Sequence, residues 1–194
     1  MVGYRLGKRR AEHGELWYAG FWPRLGATLI DGLVLAPITV LQFWLLPHSR
    51  TGSIALQIPL SLVAISYEVI LLARYGQTVG KMAMRVAVFR VNGDNIGWRE
   101  VALRCSVDSV LGLAGSITYV YAMTRLPATN WNGGWLAIST SLLALQPRWS
   151  RWLNHALNAW TLSELITLLF NRRRRALHDF IAGTVVVRVS DQTR

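Results

Sequence analysis

The sequence predicts an all-α membrane protein: a four-transmembrane-helix bundle with both termini cytoplasmic, one extra interfacial or re-entrant helix and a small cytoplasmic β-hairpin. Three observations predict it. Hydrophobic residues make up 52% of the 194 positions and charged residues only 16%, well under the roughly 25% of an ordinary globular protein. The apolar residues fall in runs long enough to cross a hydrocarbon core of about 30 Å, and the mean hydropathy is +0.29. The basic residues, 21 against 10 acidic for a net charge of +11, gather between alternate runs. These features weigh against disorder, a coiled coil or a collagen-like chain. The single cysteine, Cys105, rules out an intrachain disulfide.

A basic tail, 1–23, precedes the first span, 24–46, whose one internal charge is Asp31. That run is too long for a signal-peptide core and no small-residue cleavage site follows it, so it reads as a retained helix. The second span, 54–73, contains Glu68. The third, 101–123, contains Arg104 and Asp108, and the fourth, 152–170, is the least apolar and contains His155 and Glu164. Residues 131–146 carry no charge but are short for a crossing, which suits an interfacial or re-entrant helix. Segments 74–100 and 171–189 complete a membrane domain over 24–189, and 190–194 form a tail.

Loop charge sets the orientation. Arg5, Lys8, Arg9 and Arg10 precede the first span. Arg74, Lys81, Arg85, Arg90 and Arg99 follow the second, and Arg172, Arg173, Arg174 and Arg175 follow the fourth. By the positive-inside rule all three segments are cytoplasmic. Segment 124–151, with Arg125, Arg148 and Arg151, fits this least well. Trp17, Trp22 and Trp98 then flank the inner ends, and Trp44, Trp131, Trp135, Trp149 and Trp152 the outer ones. On the cytoplasmic side, residues 84–91 alternate, with Arg85, Ala87, Phe89 and Val91 on one face and Met84, Val86, Val88 and Arg90 on the other, before an Asn92-Gly93 turn. Residues 183–189 are similarly β-branched, and the two stretches suit a two-stranded sheet resting on the bundle, since a solitary hairpin is marginal in water.

Four carboxylates, Asp31, Glu68, Asp108 and Glu164, lie inside the spans, one on each. Counted from the nearest basic residue, they sit about 6–12 Å in from the cytoplasmic ends, in one slab. An ionisable group at mid-bilayer costs about 2.5–3.5 kcal/mol on insertion scales. Arg24 and Asp31, at i and i+7, share a helix side, and Arg104 and Asp108, at i and i+4, can pair. Glu68 and Glu164 have no basic neighbour in sequence, so burial would raise their pKa values. Intramembrane acids of this kind serve proton or cation exchange. The alternative is that they are structural ion pairs that assemble the bundle. Pro37 and Pro59 interrupt the first two spans, freeing a carbonyl or kinking the helix.

Other motifs carry less. Gly76-Gln77-Thr78-Val79-Gly80-Lys81-Met82 is one residue short of a P-loop, and Met82 stands where Ser or Thr would hold Mg²⁺; a tight turn fits better. His13, His48, His155 and His178 are scattered, with no zinc spacing. No serine completes a triad with His178 and Asp179, so neither a metal nor a catalytic residue is assigned. The Arg172–Arg175 run suits anchoring to anionic lipid, and no soluble reading domain points to nucleic acid. Gly32 to Ala36 and Ala137 to Ser141 are small-xxx-small patterns that allow close packing or a homo-oligomer.

Three stretches together resemble the RDD family of small bacterial membrane proteins. They are Phe21-Trp22-Pro23-Arg24-Leu25-Gly26-Ala27-Thr28-Leu29-Ile30-Asp31, Tyr75-Gly76-Gln77-Thr78-Val79-Gly80-Lys81 with Arg85-Val86, and the closing segment from Arg173 through Leu177-His178-Asp179 to Val187. The family is named for one arginine and two aspartates, and Arg24, Asp31 and Asp179 match them. The resemblance implies a multi-pass protein of the bacterial inner membrane, with transport of unidentified ligands and, in some members, monovalent cation/proton antiport. A related domain occurs in membrane quality-control scaffolds. The Trp-rich insertion at 124–151 departs from the family's commonest pattern.

The expectation is therefore a cation/proton transporter without cofactor or enzymatic chemistry. Asp31 is its main carboxylate, with Glu68, Asp108 and Glu164 as further ion- or proton-binding groups. Arg24, Asp179 and Arg104 act as a clamp or gate, and Arg172, Arg173, Arg174 and Arg175 lie on anionic lipid. The alternative is a non-transporting membrane scaffold that binds other membrane proteins or anionic lipid.

Overall fold

A computed structural model describes residues 18–132, 134–171 and 173–189. The basic residues before Tyr18, Trp17, Arg172 and the tail 190–194 lie outside the described residues. The chain is mostly helical. In order it runs α1 (Phe21–His48), α2 (Arg50–Tyr75), α3 (Val79–Ala83), β1 (Val86–Arg90) and α4 (Trp98–Arg125). It continues through a 3₁₀ turn (Ala128–Asn132), α5 (Gly134–Ala144), α6 (Ser150–Phe170), α7 (Leu177–Ala182) and β2 (Thr184–Arg188). Among the described residues, three helices, α1, α2 and α4, are long and apolar enough to cross a membrane. At 26 to 28 residues they exceed the hydrocarbon thickness with a turn or more to spare. Helix α6 has the length, at 21 residues, but is not among them. Arg151, Asn154, His155, Asn158 and Glu164 interrupt its apolar run. Pro37 and Pro59 do not break their helices; α1 and α2 continue through both.

The described residues divide into two compact units. One is drawn from Met1–Val34, Ser66–Val107 and Trp160–Arg194, the other from Leu35–Ile65 and Asp108–Ala159.

The first unit is organised by its sheet. β1 pairs antiparallel with β2 in a register that sets Val88 opposite Val186 and Phe89 opposite Val185. The alternation read from the sequence sorts the side chains onto two covered faces. Val86, Val88 and Val186 pack with Ala27, Leu72, Val101 and Cys105 from α1, α2 and α4. Ala87, Phe89, Val185 and Val187 form the opposite cluster with Tyr18. The pair is not the expected hairpin. The two strands are separated by four helices, and the Asn92-Gly93 turn instead folds the chain back onto β1. There the Arg90 N–H donates to the Asp94 carbonyl at 2.9 Å and Phe89 bridges to Asn95. Gly183, at φ +65°, ends α7 and aims the chain into β2, a left-handed conformation that a side chain would strain.

The second unit packs Leu46, Ala122, Met123 and Leu126 with Trp131, Ile138 and Leu142. α5 is an apolar helix of 11 residues, about 16 Å long and so too short to cross a bilayer by itself. The hydroxyls of Ser61 and Ser116 join α2 to α4 at 2.8 Å, and the rings of Phe43 and Trp135 stack with centroids 4.5 Å apart.

Because Phe89 is 3% exposed and Val91 is 39% exposed, the two neighbours should differ sharply on truncation. Thermal unfolding of the purified protein in detergent should show Phe89→Ala losing about 3–5 kcal/mol and Val91→Ala losing less than about 0.5 kcal/mol. Equal losses would contradict the burial of Phe89 beneath β2.

Candidate functional site

Asp179, in the first turn of α7, is fully buried. One carboxylate oxygen accepts Arg24 Nη1 at 2.7 Å. The other accepts Arg104 Nη1, with which Asp179 forms a buried ion pair, and the Thr184 hydroxyl at 3.2 Å. The Ala176 N–H donates to Oδ2 at 3.0 Å, so the carboxylate also caps its own helix. Arg24 reaches further, donating from Nη2 to the Arg174 carbonyl at 2.7 Å and from Nε to the Ala19 carbonyl at 3.3 Å. Arg104 donates to Thr184 Oγ1 at 3.1 Å. Burial by itself would raise the pKa of Asp179; the Arg104 and Arg24 guanidiniums overcome it and hold the carboxyl well below the usual carboxylate range.

Asp31 is held differently. Its Oδ1 accepts the Tyr67 hydroxyl at 2.7 Å and the Gly80 N–H at 2.8 Å, and its Oδ2 accepts the Thr78 hydroxyl at 2.5 Å. All three donors are neutral. Thr78 is the N-cap of α3, and the Val79 N–H donates to the Tyr67 oxygen at 3.3 Å. The loop therefore seats on α1 through Asp31. Gly80 is required there: a Cβ on it would stand 2.0 Å from the Ala27 carbonyl oxygen and 2.9 Å from Asp31 Cγ.

The remaining expected residues fall as follows. Arg24 does not pair with Asp31; both it and Arg104 turn to Asp179, because a buried carboxylate between two guanidiniums is the better-compensated arrangement. Glu68 is not a buried, partnerless acid: its side chain is 46% exposed and lies 3.7 Å from Lys81 Nζ. Burial pushes the Lys81 ammonium below its ordinary pKa, with Glu68 opposing the shift. Glu164 is not alone either, since it bonds His178 Nδ1. His178 Nε2 is buried without a hydrogen-bond partner among the described residues, 3.7 Å from Asp179 Oδ1. Asp108 is exposed and falls in the second unit. Three of the four acids thus sit in one unit, where Lys81 feels the charge of both Glu68 and Asp31 and Glu164 bonds His178.

The arginine run divides too. Arg173 and Arg174 are exposed. Arg175 is half-buried and turned in part toward the protein: its guanidinium donates to the Thr184 carbonyl at 3.0 Å and the Asp179 carbonyl at 2.8 Å, and lies 4.2 Å from the Phe180 ring centroid. Tyr67, Thr78, Gly80, Lys81 and His178 are the site residues that sequence reasoning missed as partners. The glycine-bracketed loop 76–80 marked a turn but not its seat on Asp31.

The RDD family model matches residues 18–183. The chain belongs to the RDD family. It is also similar to the uncharacterized protein YckC of Bacillus subtilis (strain 168), 24% identical over 169 residues that cover 87% of this chain and 83% of the relative. No solved structure matches. In this RDD protein the three residues for which the family is named do not form one triad. Arg24 grips Asp179 together with Arg104, while Asp31 faces hydroxyls and an amide.

Asp179→Asn leaves two buried guanidiniums without their counter-charge and should cost about 3–5 kcal/mol in unfolding. The depressed pKa fixes the sign of the pH dependence. The contribution is fully present above the unfolded value of about 3.9 and is lost as pH falls through the lower folded value. The stability gap between wild type and Asp179→Asn should therefore be flat from about pH 8 to pH 5 and close at more acid pH. Denaturation midpoints across that range check it; a gap that closes between pH 7 and 5 would contradict the assignment.

Proposed function

We propose that this RDD-family membrane protein exchanges a monovalent cation for protons at Asp31. In this reading it is a four-span bundle of the bacterial inner membrane with both termini cytoplasmic, assembled as a homo-oligomer. One observation carries the reading: Asp31 is bound by neutral donors, whereas Asp179 takes the two guanidiniums. A carboxylate whose charge is already cancelled by fixed arginines gains little from a proton or a cation. A carboxylate hydrogen-bonded by hydroxyls and an amide, with the Lys81 ammonium within coulombic reach but not bonded to it, gains more. The Tyr67 and Thr78 oxygens can rotate their hydrogens away and offer lone pairs to a cation. Proton and cation then compete for the same oxygens, which is the minimal requirement of an antiporter. Glu68, Asp108 and Glu164 are the secondary proton or ion sites, and the Arg24–Asp179–Arg104 cluster is the clamp. The reading assigns no enzymatic step and no cofactor.

A second reading, a non-transporting scaffold on other membrane proteins or anionic lipid, draws on the internal partners of Arg24, Arg104 and Lys81 and on the exposed side chains of Arg173 and Arg174.

Proteoliposomes loaded with a pH-sensitive dye separate the two. Addition of Na⁺, Li⁺ or K⁺ should drive proton movement, which Asp31→Asn abolishes and Thr78→Val slows about tenfold through loss of one hydrogen bond to a charged group. Absence of cation-evoked proton movement under any gradient would overturn the transport reading and leave the scaffold.

A further inference from the structure

Lys81 is one of two lysines in the chain, the other being Lys8. Its backbone belongs to the loop that seats on Asp31. The preceding Gly80 N–H donates to Asp31 Oδ1 at 2.8 Å, and the Lys81 N–H donates to the Thr78 hydroxyl oxygen at 3.4 Å. The ammonium is thus tethered beside the proposed exchange site. Its side chain is 16% exposed, and Nζ stands 3.7 Å from Glu68 Oε1, an ion pair too long for a hydrogen bond. The ionisable groups that act on it are Glu68 on α2, Arg104 and Cys105 on α4, and Asp31 on α1. Burial disfavours the charged form, while Glu68 and Asp31 favour it.

Charge then sets a limit on what the site accepts. Two carboxylates, Asp31 and Glu68, act on one ammonium, which leaves a single negative charge for a bound ion. Arg104, although paired with Asp179, weighs on the same positive side. A monovalent cation cancels the remainder. A divalent one overshoots it, and its repulsion from Lys81 is twice as large at any given distance.

We propose that Lys81 determines the valence accepted at Asp31: its tethered ammonium admits an alkali cation and turns away Ca²⁺, Mg²⁺ or Mn²⁺. This rests on the reading that a cation seats at Asp31. Lys81 touches no reacting atom; it is a specificity-determining residue that acts through its charge.

The test measures equilibrium Mn²⁺ binding by electron paramagnetic resonance at neutral pH, with the full chain in nanodiscs of zwitterionic lipid. Wild type and Asp31→Asn should bind Mn²⁺ alike. Lys81→Met should gain a Mn²⁺ site about tenfold or more tighter than any in wild type, and Asp31→Asn in that background should remove it. Lys81→Arg, which keeps the charge, should gain none. Glu68→Gln added to Lys81→Met restores the original charge balance and should abolish the gain, an outcome that loss of packing at Lys81 would not produce. An Asp31-dependent Mn²⁺ site in wild type would overturn the proposal, whatever the variants do. So would an unchanged Mn²⁺ affinity in Lys81→Met, or a gain that Lys81→Arg shares. Binding is read without transport. A gained site in a protein that moves no protons would therefore sink the exchange reading and keep the valence filter, and proton exchange with no gained site would do the reverse.

Discussion

The ion-paired carboxylate of Asp179 is the constraint on which the first unit depends. It lies 155 residues from Arg24 and 75 from Arg104 in sequence, yet it bonds both. A carboxylate at zero exposure carries a desolvation cost of several kcal/mol, which one partner repays poorly and two with further hydrogen bonds repay well. Thr184, from the first position of β2, joins the same cluster. The capped turn of α7 therefore leads through Gly183 into β2 with its carboxylate already anchored to α1 and α4, and β2 completes the sheet.

Because Asp179 absorbs the fixed positive charge, Asp31 is left in a different electrostatic class on the same helix as Arg24. Its three donors satisfy the carboxylate as hydrogen bonds without neutralising it. The close approach of Gly80 to Ala27 keeps the loop tight over that carboxylate. The two family aspartates are thereby divided between an anchor ion-paired to two guanidiniums and a carboxylate hydrogen-bonded to two hydroxyls and an amide. The exchange reading rests on that division of roles and does not need a pooled acidic layer.

The sequence carried the parts of this arrangement that obey short-range rules. The alternation at Met84–Val91 sorted Val86 and Val88 from Ala87 and Phe89 because strand side chains alternate by necessity. Three long apolar helices followed from composition and length. Local spacing allowed Asp31 for Arg24 and Asp108 for Arg104, and the closing segment offered Arg24 a second partner in Asp179; the structure has the second, at 2.7 Å, because periodicity says which residues are able to meet, not which partner wins. The winning carboxylate lay in the closing segment, where its burial decided the contest. His178 and Lys81 were legible as charges but not as partners of Glu164 and Glu68, since those contacts form across separate elements. The Thr78–Gly80 loop was legible as a turn because its glycines and threonine are local signals. Its seat on Asp31, 47 residues away, is set by packing alone.

The most direct test of the division between the two aspartates is infrared difference spectroscopy of the protonated carboxyl band as Na⁺ is added to the reconstituted protein. The account predicts a protonated-carboxyl signal that Na⁺ diminishes, that is missing in Asp31→Asn and that survives in Asp179→Asn. A signal insensitive to Na⁺, or one lost in Asp179→Asn and kept in Asp31→Asn, would contradict it.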